Sequence, residues 1–313
     1  MHWSALLTNP TLVNLALLVI SIVWMLKDER DKSRPLVVMA LVLNLFYRWL
    51  LGVALDKEDS LLPWKYDYYL HRIDGALGVS AASVTVALRG YWGSALNVIY
   101  QLMVPMMIFW CVLSGRYADR SVALAYVAEM VVGPLLYALV PACGPLYAFG
   151  AGWLHPPAVA AQAVRFSGFP NAFPSLHLAT ALVLVLSAKK PMWKAVSMVF
   201  LVGTALATLT TGEHYVIDLV PGLAFGCFAY AAGNRRMRRA FFYLAIVLCW
   251  ALVIRFSGHV LVVYPALTKV AAALTLAIAV HSVGEQWRAG STVALPEPIQ
   301  VRKHAAKEAP VTV

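Results

Sequence analysis

The chain has 313 residues, of which 61% are hydrophobic and 13% charged, where a soluble domain carries about 25% charged residues. That composition excludes a secreted or cytosolic enzyme, a coiled coil and a disordered protein, and it indicates one integral membrane domain. The net charge of +10 does not mark a nucleic-acid partner, because the basic residues sit in short connections between apolar runs, the pattern that orients a membrane protein.

Residues 1–10 lack the basic start of a cleaved signal peptide, so the first apolar run is expected to be a retained anchor. Runs long enough to cross a bilayer, about 20 residues, lie near 11–26, 35–55, 93–114, 121–141, 174–188, 192–211, 214–233, 240–256 and 258–282. Between them, 17 of the 25 Lys and Arg cluster at 27–34, at Arg116 and Arg120, at 189–194, at 235–239 and in the tail. Alternating crossings put all these clusters on one side, which the positive-inside rule makes cytoplasmic. This requires that 74–88 does not cross. The segment 56–92, with Trp64, Tyr66, Tyr68, Tyr69, Tyr91 and Trp92, reads as outer-face interfacial helices. The expected class is an all-α polytopic transmembrane bundle of about nine spans with an outer-face interfacial segment. Its parts are 1–92, a catalytic core at 93–235, C-terminal spans at 236–284 and a disordered cytoplasmic tail at 285–313. The four cysteines show no metal or redox spacing and read as apolar fillers.

Two polar segments open helices at the outer face. Phe173-Pro174-Ser175-Leu176-His177 begins one, with Pro174 at the expected first helical position, and Gly212-Glu213-His214-Tyr215-Val216-Ile217-Asp218 begins the other. Helix N-termini present unpaired N–H groups that attract phosphate. Four residues apart on a helix, His214 and Asp218 share a face, so the carboxylate can hold one imidazole nitrogen and leave the other as nucleophile. His177 offers a second imidazole to protonate a leaving oxygen, and Ser175 a hydroxyl donor. This set fits phosphoryl transfer through a phosphohistidine. A single histidine at a helix start is more often structural, but ionisable groups in a membrane are costly without a use.

These segments resemble the second and third signature motifs of the type 2 phosphatidic acid phosphatase superfamily. The fuller strings Ala172-Phe173-Pro174-Ser175-Leu176-His177 and His214-Tyr215-Val216-Ile217-Asp218-Leu219, with Gly222, look most like its inositolphosphotransferase branch. The resemblance covers roughly residues 93–235 and implies a helical bundle with both motifs at one membrane face. It further implies His214 as nucleophile, Asp218 as its orienting partner, His177 as acid and Ser175 as phosphate donor, with no metal or other cofactor. The first motif of the phosphatases, K-x6-R-P, is absent from its usual place. Lys27 to Arg34-Pro35 matches it formally but lies far upstream in an orientation loop, and Thr208 stands where the phosphatases have an arginine. The expected place holds the stretch from Tyr137 to Tyr147, similar to the proline- and aromatic-rich segment of the inositolphosphotransferases.

Cations for the phosphate are therefore sought elsewhere, at Arg165, Arg72 and Lys65, each equally suited to anchoring at lipid headgroups. Glu129 and Arg48, inside apolar runs, are expected to pair. The expected reaction is extracytoplasmic transfer of a phosphoryl or phosphoalcohol group from a membrane lipid to a hydroxyl acceptor (lipid, sugar or polyol), with no nucleic-acid partner and with the bacterial inner membrane as the location. Lipid phosphate hydrolysis is the alternative. A transporter and a metal-dependent hydrolase using His177, His214 and Asp218 also stand as readings of the same residues.

Overall fold

The computed structural model describes residues 52, 53, 55–115 and 120–292. The expected span near 11–26, residues 35–51 and 54 of the span expected near 35–55, the basic loop 27–34, Arg48, Arg116 and residues 293–313 lie outside the described residues. The helices are α1 (Asp67–Leu77), α2 (Ala81–Gln101), α3 (Met103–Gly115), α4 (Ser121–Leu139), α5 (Pro145–Phe149), α6 (Leu176–Ser187), α7 (Pro191–Thr210), α8 (Val216–Gly233), α9 (Met237–Val263) and α10 (Pro265–Thr292). A short antiparallel ribbon, β1 (Trp64–Lys65) against β2 (Val164–Arg165), pairs Trp64 with Arg165 and Lys65 with Val164. It departs from the all-α expectation, since two-residue strands leave no alternating pattern to read.

Five helices among the described residues, α4, α7, α8, α9 and α10, are long and apolar enough to cross a membrane. The end of α2 and α3 together make a sixth, bent by 52° at their junction. The expected count of about nine is not reached there, in part because the run at 174–188 folds as α6, only 12 residues long. Leu178 through Ser187 are all buried, which is where a helix apolar on every side belongs. It is wrapped by α3, α4, α7, α8 and α10. Lipid supplies little hydrophobic drive for such packing, so close approach through small residues counts instead. Gly222 and Gly226 on α8 face α6 so closely that a Cβ would lie 2.8 Å from the Ser175 carbonyl oxygen and 2.7 Å from that of Ala179.

The stretch 74–88, expected not to cross, is divided between two helices: Gly78, in the left-handed region, closes α1, and Ser80 opens α2 through reciprocal bonds with Ser83. Two boundaries differ from expectation. The turn between the last two spans lies at Tyr264, not at 257. Ser257 only kinks α9, and Pro265 starts α10, a position that suits the fixed φ of proline. α10 also continues to Thr292, past the expected start of the tail.

The basic clusters at 189–194 and 235–239 collect at one end of the bundle. There Arg239 pairs with Glu285 at 2.8 Å, Lys194 donates to the Trp287 carbonyl at 3.2 Å, and the Trp287 indole donates to Val185 at 3.0 Å. At the other end α1 lies against α8, α9 and α10, burying Asp67, Leu70, Ile73 and Asp74. The polar motifs lie at that second end.

Candidate active site

Ser175 is the N-cap of α6, accepting the Leu178 N–H at 3.4 Å. Pro174 thus precedes the cap instead of occupying the first helical position, and the Phe173–Pro174 peptide is cis. His177 falls in the first turn. The second motif behaves differently from a helical face: α8 starts at Val216 with Tyr215 as N-cap, so His214 lies before the helix. Asp218, at the third helical position, turns back to accept the Tyr215 N–H at 2.8 Å.

His214 is consequently held by a group that the sequence motif does not display. Its Nδ1 lies 2.8 Å from the Ala172 carbonyl oxygen but 3.6 Å from Asp218 Oδ2, beyond hydrogen-bonding range. A carbonyl only accepts, so Nδ1 carries the proton and Nε2 is the free, basic nitrogen. That Nε2 sits 3.5 Å from His177 Nδ1, with the rings edge to face. Tyr100 stacks on the outer side of His177, 4.6 Å between centroids. Burial pushes the His214 imidazole down to about 4, against the opposing pull of the Glu213 carboxylate and the Ala172 carbonyl. A nucleophile must be neutral, so kcat/KM should hold on the acid side until pH approaches 4. An acid limb centred near 6.5 in the pH profile would contradict a buried, neutral ring.

The two helix N-termini are not equivalent. At α8, the Val216 and Ile217 N–H groups are both taken by Asp74, at 2.9 Å each, so this end is closed to an outside anion. At α6, no acceptor is found among the described residues for the N–H groups of Leu176 and His177, and the Ser175 hydroxyl, accepting from Leu178, keeps its proton to donate. The α6 end is the one that suits phosphate. Asp67 performs the same service for the loop before α5, accepting from Cys143 and Gly144 N–H and from the Tyr215 hydroxyl. Burial pushes the Asp67 carboxyl up to about 7 despite those donors. Gly144 is required there: its φ is +95°, and a Cβ would lie 2.3 Å from the Glu213 carbonyl oxygen. The Pro141–Pro145 stretch therefore clamps the His214 loop by backbone contact, with no cation in it.

A cavity of about 210 Å³ opens beside the two histidines, lined by Met103, Met107 and Met130, by Tyr100, Tyr126 and Tyr137, and by Glu213 and Thr180. The Thr180 hydroxyl donates to Glu129 Oε2 at 2.6 Å, so Glu129 has found Thr180. Its expected partner Arg48 is outside the described residues. Glu213, its carboxyl raised by burial, accepts from the Tyr147 hydroxyl at 3.2 Å.

The expected cations are placed elsewhere. Lys65 is fully buried, paired with Asp59 at 2.7 Å and bonded to the Leu62 carbonyl. Arg165 lies over the Trp64 ring at 4.6 Å, and Arg72 is exposed on α1. None of the three lines the cavity. The structure thus brings His177, His214, Ser175 and Asp218 together and leaves Arg165, Arg72 and Lys65 in the cover. Sequence reasoning missed the Ala172 carbonyl, which no side chain advertises, and the carboxylates Asp67 and Asp74. The seven-residue spacing of the latter pair, flanking Leu70 and Ile73 on one helical face, was the available signal.

Among groups of His, Cys, Asp and Glu in the described residues, none has the arrangement to hold a metal ion. No curated protein and no solved structure matches the chain. The PAP2 superfamily model matches residues 68–232, a stretch that runs from the first turn of α1 nearly to the end of α8 and contains both histidines and the residues that line the cavity; more than half of the sequence is matched, and the chain belongs to the PAP2 superfamily.

Proposed function

We propose that this protein is a membrane phosphotransferase that takes a phosphoryl or phosphoalcohol group from a lipid at the extracytoplasmic face, by way of a phosphohistidine at His214. Superfamily membership supports a phosphatase or phosphotransferase acting on lipid phosphates. The observation that carries the finer reading is the clamp of His214 Nδ1 on the Ala172 carbonyl at 2.8 Å, which leaves Nε2 directed at His177 beside a cavity. In the reaction, Nε2 attacks phosphorus and the P–O bond to the lipid breaks. His177, charged once the anionic phosphate adjoins it, gives its proton to the departing oxygen. Ser175 and the free N–H groups at the start of α6 bind the equatorial oxygens. Asp218 acts through the N-cap of α8, positioning the histidine.

The sidedness rests on the basic clusters gathering at the end of the bundle away from the site. Preference for transfer rests on the cover of α1, the β-ribbon and residues 141–174, because water at about 55 M loses to a hydroxyl only where the site binds and orients that hydroxyl. Right-side-out membrane vesicles supplied with a phospholipid donor should therefore release little free phosphate and should form a new phosphorylated product when the matching hydroxyl acceptor is added outside. Rapid phosphate release indifferent to any acceptor would leave a phosphatase, and product formed only in inside-out vesicles would reverse the orientation.

A further inference from the structure

What accompanies the phosphate is written in the cavity. Among the described residues no Lys or Arg lines it. Tyr100, Tyr126, Tyr137 and Glu213 are among its lining, with one face of Tyr100 taken by His177. Behind Thr180 stands Glu129, whose Oε1 is buried without a hydrogen-bond partner among the described residues. A doubly charged phosphate monoester fits this lining poorly, since a carboxylate close by repels it and no described cation offsets the charge. A phosphodiester that brings its own ammonium group fits well: tyrosine faces attract cations, and a carboxylate in a poorly hydrated site calls for an opposite charge. We propose that the cavity receives the cationic end of a phosphoalcohol, so that the donor is a zwitterionic phospholipid with a primary or quaternary ammonium headgroup. The proposal rests on the phosphohistidine reading of His214.

The step balances without a further reagent. A bond forms between His214 Nε2 and phosphorus, the P–O bond to diacylglycerol breaks, and the His177 proton goes to the diacylglycerol oxygen. An acceptor hydroxyl then attacks phosphorus, the N–P bond breaks, and the hydroxyl proton returns to His177. Glu213 and the tyrosines touch only the ammonium end and take no part in bond making.

The test uses the full chain in nanodiscs containing, separately, phosphatidylethanolamine, phosphatidylcholine, phosphatidylinositol or phosphatidate. Diacylglycerol release, the mass added to His214 and lipid retention in native mass spectra are all read. The two zwitterionic donors should be turned over at least tenfold faster than the other two, leaving an adduct of phosphoethanolamine or phosphocholine mass, and their ratio distinguishes primary from quaternary ammonium. Glu213→Gln should raise KM for the zwitterionic donors at least tenfold while changing kcat less. Turnover of phosphatidylinositol or phosphatidate at an equal or higher rate, with an adduct on His214, would overturn the ammonium proposal and leave the phosphohistidine standing. Preferential retention of zwitterionic lipid with no adduct from any donor would reject the phosphohistidine alone. Zwitterionic turnover indifferent to Glu213→Gln, or no preferential retention, would also overturn the proposal.

Discussion

His214→Ala should lower turnover by about 10⁴-fold or more, the scale on which removal of a nucleophile or its base acts in comparable sites, while leaving the fold intact. Asp218→Asn should cost far less, about tenfold to a hundredfold. The Nδ1 proton of His214 goes to the Ala172 carbonyl at 2.8 Å and not to Asp218, whose Oδ2 lies 3.6 Å away. An asparagine can still accept the Tyr215 N–H through its amide oxygen and so keep the N-cap of α8. Steady-state kinetics on the two variants, with monodisperse protein as the control, decide the matter. Near wild-type activity in His214→Ala would remove the mechanism. A loss in Asp218→Asn as large as that in His214→Ala would make the carboxylate, rather than the carbonyl, the group that orients the ring.

The second large effect is structural. Asp74→Ala strips the acceptor from the buried N–H groups of both Val216 and Ile217. A buried donor left unpaired costs about 1–3 kcal/mol, so the pair amounts to about 2–6 kcal/mol, enough to lower Tm by about 5 °C or more in a chain of this size. The loss falls on the first turn of α8, directly after His214, so kcat should drop with it. Asp74→Asn, which keeps one acceptor oxygen, should fall between wild type and alanine. Unchanged Tm in Asp74→Ala would show that solvent or another group satisfies these amides.

The candidate site was legible because it is local. Ser175, His177, His214 and Asp218 stand in two short strings, and the structure gathers them at one end. The basic clusters at 189–194 and 235–239 likewise identified the opposite end without any tertiary information. What could not be read depends on partners distant in the sequence. Asp67 and Asp74 look in the sequence like solvated carboxylates of an interfacial helix, and only the fold brings them to amides more than 70 residues away. The same holds for Lys65, which as a string is a free cation near an aromatic cluster and in the fold is neutralised by Asp59. His214 and Asp218, expected on one helical face, do not share one for a local reason: the helix starts between them.

The shortness of α6 sets the depth of the two histidines. Twelve residues rise about 18 Å, against a hydrocarbon layer about 30 Å thick. With Lys189 and Lys190 following its last turn at the basic boundary, the helix brings His177 up to a level roughly 10 Å short of the far surface, and His214 Nε2 is within 3.5 Å of that ring. The histidines therefore lie at the bottom of a well roofed by α1, the β-ribbon and the loop ahead of α6. In the proposed reaction, a lipid phosphate, which normally rides at the surface, would have to be drawn downward to meet Nε2. On one flank of that well Met103 and Met107 of α3 and Met130 of α4 make the wall apolar.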